Sequence, residues 1–97
     1  MSDRYQWVRA YVLDTGAQVA IARHDAAGAG RLTDALASLA ARCEMREFVV
    51  RAELHRYRLG DAGALAVARL LAREVDNPAL ARELQDPTVR PWLLRRG

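Results

Sequence analysis

The order of apolar and polar positions divides the chain into segments of different period. Residues 5–13, YQWVRAYVL, are dense in aromatic and β-branched side chains, and the pattern predicts a strand there. Asp14-Thr15-Gly16-Ala17 carries a turn signal. Residues 18–24, QVAIARH, read as a second strand, close enough to pair with the first as a hairpin. Residues 47–58, EFVVRAELHRYR, alternate, with Phe48, Val50, Ala52 and Leu54 on one side. They predict a third strand.

Helical spacing appears elsewhere. Leu32, Ala35, Leu36, Leu39, Ala40 and Cys43 form one buried stripe, giving a helix over about 29–43 with Asp25 as a candidate N-cap. A second helix is expected at about 62–75, after Gly60 and Asp61. Asn77-Pro78 marks the start of a third, running over about 78–85. Asp86-Pro87 ends it and leaves a tail, 86–97.

The expected fold class is therefore α+β in the order ββαβαα. Its three-stranded antiparallel sheet has strand order 2-1-3, with 5–13 central. The helices would pack on the face of Val8, Ala10, Val12, Val19, Ile21, Phe48, Val50 and Leu54. Residues 1–97 are expected to form one domain, without internal repeats.

On that topology the opposite sheet face carries Tyr5, Trp7, Arg9 and Tyr11, continued by Arg51, Glu53 and Tyr57. Four of the six aromatic residues fall there, whereas a merely solvated face would be Thr- and Glu-rich. Tyr, Trp and Arg supply large contact areas with polar ends, so the leading expectation is a protein–protein surface, with self-association as a homodimer. The alternative is single-stranded nucleic acid stacked on the aromatics. A third reading has the tail, through Trp92, Leu93 and Leu94, covering the face or engaging a partner.

Composition modifies this picture in a few places. All fifteen basic residues are arginine, and alanine is abundant, as in GC-rich bacterial coding. Without lysine, Schiff-base chemistry and a phosphate-loop ammonium are excluded. The formal net charge of +3, with Glu53 inside the aromatic face, weakens the nucleic-acid alternative. Cys43 is the only cysteine, so no internal disulfide forms. No apolar run has the length of a membrane span and no leader is evident, so a cytoplasmic location is expected.

No motif carries a catalytic, metal or cofactor assignment. Gly28-Ala29-Gly30 has the start of a dinucleotide fingerprint, but Thr33 stands where its third glycine belongs. His24 and His55 would sit on opposite edge strands, too far apart to share a metal. The expectation is a small, non-enzymatic accessory or adaptor domain.

Overall fold

The computed structural model describes residues 3–87. Among them it contains five helices and no strand. They are α1 (Asp3–Ala22), α2 (Ala26–Arg42), α3 (Arg46–Arg58), α4 (Ala64–Ala72) and α5 (Pro78–Gln85). The α+β class, the hairpin and the 2-1-3 sheet are overturned. Segments 5–13 and 18–22 are two parts of one helix, Arg23 and His24 form the turn after it, and 47–58 lies within another.

The physical reason differs between the two misread helices. Arg4, Gln6, Arg9, Asp14, Thr15 and Gln18 are spread around the circumference of α1, so no separate polar face punctuates it, and its valines and aromatics imitate strand composition. The supposed turn is mid-helix. Gly16 serves there as a point of close approach, because a Cβ on it would lie 3.2 Å from Leu32 Cδ1 of α2. α3 is central and buried on two opposite sides. At 3.6 residues per turn, Met45 (its N-cap), Phe48, Ala52 and His55 fall on one side and Val50 and Leu54 on the other. The first side packs against α1 and α2, through Ala10, Leu36, Leu39 and Ala40. The second meets Ala68, Leu80 and Leu84 of α4 and α5. A helix gripped from both sides thus buries Phe48, Val50, Ala52 and Leu54, and reproduces the alternation of a strand.

Successive helices pack on one another, and α1 also touches α3. The connections between them are short, three to five residues each. Three of them share one device. Asp25, Met45 and Asp61 donate their backbone N–H to the carbonyls of Ala20, Ala40 and Arg56, each at 2.9 Å, closing a six-residue loop over the helix end. The residue just before each donor has positive φ: His24 at 60°, Glu44 at 55° and Gly60 at 111°.

The N-caps of α2 and α5 are the expected residues. Asp25 accepts from the Gly28 N–H at 2.9 Å, and Asn77 accepts from that of Leu80 at 3.2 Å, with Pro78 in the first helical position. α2 begins at Ala26, earlier than expected, because Gly28 makes room for the cap: a Cβ there would lie 2.8 Å from Asp25 Cγ. α4 starts at Ala64, and Asp61 instead accepts from Gly63 at 3.2 Å. α5 is tied down by Arg69, whose Nε and Nη2 donate to the Leu84 carbonyl at 3.2 and 2.9 Å. Arg51 of α3 adds an ion pair to Glu83 at 3.3 Å.

Candidate functional site

The residues expected to share a sheet face are dispersed. Tyr5, Trp7, Arg9 and Tyr11 are all on α1, where alternate positions point to different sides. Tyr5 and Arg9 lie toward one edge of its outer face, Trp7 and Tyr11 toward the other. Trp7 leans edge-on against Phe48, ring centroids 5.2 Å apart. Arg51, Glu53 and Tyr57 are partly buried on α3. There Arg51 is engaged by Glu83, and Glu53 accepts from Arg56 at 2.8 Å. Arg56 also donates to Asp34 of α2 at 3.2 Å. Burial opposes its charge, but the hydrogen bonds and negative charge of Asp34 and Glu53 prevail and raise its pKa above the ordinary arginine value. The sheet-borne stacking platform expected for single-stranded nucleic acid is absent among the described residues, which contain no strand. Trp92, Leu93 and Leu94 lie outside the described residues.

Two features remain that have functional potential, and sequence reasoning located neither. The first is a polar pair inside the bundle. Asp14 of α1 is 4% exposed and His55 of α3 is 1% exposed. Asp14 Oδ1 lies 2.6 Å from His55 Nε2, and its Oδ2 accepts from Gln18 Nε2 at 3.0 Å. An ionised carboxylate only accepts, so Nε2 carries the proton, and Nδ1 is left without a partner. The pair resembles the base-and-orienter half of a hydrolytic triad, but both side chains are buried. No nucleophile among the described residues is hydrogen-bonded to the free nitrogen. In this arrangement the pair forms a polar link between α1 and α3.

The second feature is the outer face of α1. Val8, Val12 and Val19, which were expected in the core, are 57%, 61% and 44% exposed. With Thr15 and Ala22 they lie within about 80° of helix circumference. Tyr5 and Tyr11 border them, both exposed. The stripe 5, 8, 12, 15, 19, 22 advances by alternate threes and fours, the spacing with which packed helices interlock. It lies opposite the buried side formed by Ala10, Asp14, Ala17 and Ile21. A hollow of about 330 Å³ opens on it, lined by Thr15, Gln18, Val19, Ala22 and Arg23. The first four stand at i, i+3, i+4 and i+7, the four-residue socket that receives one side chain of a facing helix. Had α1 been read at helical period, this stripe would have been visible in the sequence.

Among the described residues no three His, Cys, Asp or Glu side chains are grouped to hold a metal ion, and no helix is long and apolar enough to cross a membrane. No family model, curated protein or solved structure matches the chain.

Proposed function

We propose that this chain is a non-enzymatic helix-docking module, a small adaptor whose outer α1 face receives a helix of a protein partner. The carrying observation is the comparison of α1 with α3. Both helices are apolar on two opposite sides. In α3 the second side is covered by α4 and α5, whereas in α1 the second side, centred on Val12, faces solvent. A stripe about 25 Å long on one helix exceeds the scattered apolar exposure of ordinary surfaces. Its i, i+3, i+4, i+7 socket favours a helix over a strand or a loop as the occupant. The arginine-only, alanine-rich composition supports a bacterial source, and the proposal places the module in the cytoplasm as an accessory to a larger effector.

A photo-crosslinking side chain at Val12 tests this in cells that make the protein, with the same group at exposed Ala35 of α2 as control. Val12 should give a discrete protein adduct that Ala35 does not, and a Val19→Glu change should remove it without loss of helical circular dichroism. Equal labelling from both positions would contradict the proposal.

A further inference from the structure

The chemistry of the occupant can be read from the borders of the same stripe, and this step rests on the docking proposal. One long edge carries Arg9 and Arg23, both exposed and without an ion pair among the described residues. The other edge carries Trp7 and Tyr11. Between residues 4 and 23 the sole acidic residue is Asp14, and it is turned inward and engaged by His55 and Gln18. The outer side of α1 therefore presents the Arg9 and Arg23 guanidinium groups with no carboxylate of the same helix beside them.

A second copy fits this border poorly. Two α1 helices paired antiparallel through the stripe would lay the Arg9–Arg23 edge of one along the same edge of the other, with no carboxylate between them. We infer that the occupant is an amphipathic helix of another protein, with small or branched apolar residues at its centre and Asp or Glu along one flank. Planar guanidinium groups suit carboxylates in two-point hydrogen bonds, and partly desolvated pairs at such an edge fix register and partner choice. The apolar centre supplies affinity, and the arginine edge selects against cationic helices.

Two synthetic peptides of 21 residues test this against the full chain by fluorescence anisotropy. They share Val and Ala at heptad positions a and d and differ only in Glu or Lys at the flanks. The Glu peptide should bind at least about tenfold tighter at low ionic strength, and that preference should fade at 0.5 M salt. Combined Arg9→Glu and Arg23→Glu changes, both at exposed positions, should reverse it. Val12→Glu should weaken both peptides. Equal binding of the two peptides, still sensitive to Val12→Glu, would overturn the acidic partner and leave the docking face standing. Binding of neither peptide, or binding indifferent to Val12→Glu, would overturn both. A doubled mass in light scattering that Val12→Glu returns to monomer would make a second copy the occupant, refuting the acidic helix while keeping the surface.

Discussion

Replacing Asp14 by Ala removes the single acceptor available to His55. The imidazole is 1% exposed and its Nδ1 already lacks a partner, so the change leaves both ring nitrogens unsatisfied inside the bundle. One newly unsatisfied buried group costs about 1–3 kcal/mol. Loss of the Gln18 hydrogen bond adds about 0.5–1 kcal/mol, since that amide is partly exposed and can turn to water. Removing a desolvated carboxylate gives some of this back. The expected net loss is about 1–3 kcal/mol, a sizeable share of the roughly 5–15 kcal/mol that holds a domain folded. At about 4–8 °C per kcal/mol for this size, Tm should fall by at least about 4 °C. Asp14→Asn keeps an acceptor for Nε2–H and should lose less than about 1.5 kcal/mol. Urea unfolding followed by circular dichroism at 222 nm measures each variant, and an unchanged denaturant slope verifies the comparison. In a double-mutant cycle with His55→Ala, the pair should show a coupling of about 1.5–3 kcal/mol. A loss below about 1 kcal/mol for Asp14→Ala, or a coupling below about 0.5 kcal/mol, would refute the link between α1 and α3.

Glycine contrasts check the helix ends. Glu44→Gly relieves a left-handed backbone at φ 55° and should raise stability by about 0.5–1 kcal/mol in the same assay, net of glycine's greater unfolded freedom. Gly30→Ala, where nothing lies within 4 Å of the added methyl, should stabilise α2 by about 0.5–1 kcal/mol. Gly28→Ala should fall at least about 1 kcal/mol short of Gly30→Ala, because its methyl displaces the Asp25 carboxylate from the cap. Equal gains at both glycines would mean the cap contributes little.

The parts of the fold legible in the sequence were those with local signatures. Asp25 and the Asn77-Pro78 pair marked real helix starts, and Leu36, Leu39 and Ala40 were placed in the core as they stand, while Ala35, assigned to the same stripe, is exposed at the stripe's edge. What escaped was decided by tertiary context. Alternation at 48, 50, 52 and 54 is a strand signal only if one side is buried, and nothing local reveals that α3 is covered on two. In α1, reading at period two put Val8, Val12 and Val19 inside and treated Asp14 as a turn residue. At helical period the same letters give an outward valine stripe and a lone carboxylate on the inner side, which needs a buried partner. The site residues suffered accordingly: Tyr5, Trp7, Arg9 and Tyr11 were rightly grouped on one element but wrongly on one face. Arg51 and Glu53 are occupied within the bundle.

The buried pair has a consequence beyond stability. A helix whose polar residues are spread around its circumference, as in α1, has no single polar face to set its angle about its own axis. Rotation by one residue's angle swings Asp14 through about 100°, away from the His55 imidazole. Every such angle except the observed one leaves that buried imidazole without its partner. Asp14 and His55 thus act as a key that fixes the roll of α1, and with it which line of valines is presented to the outside.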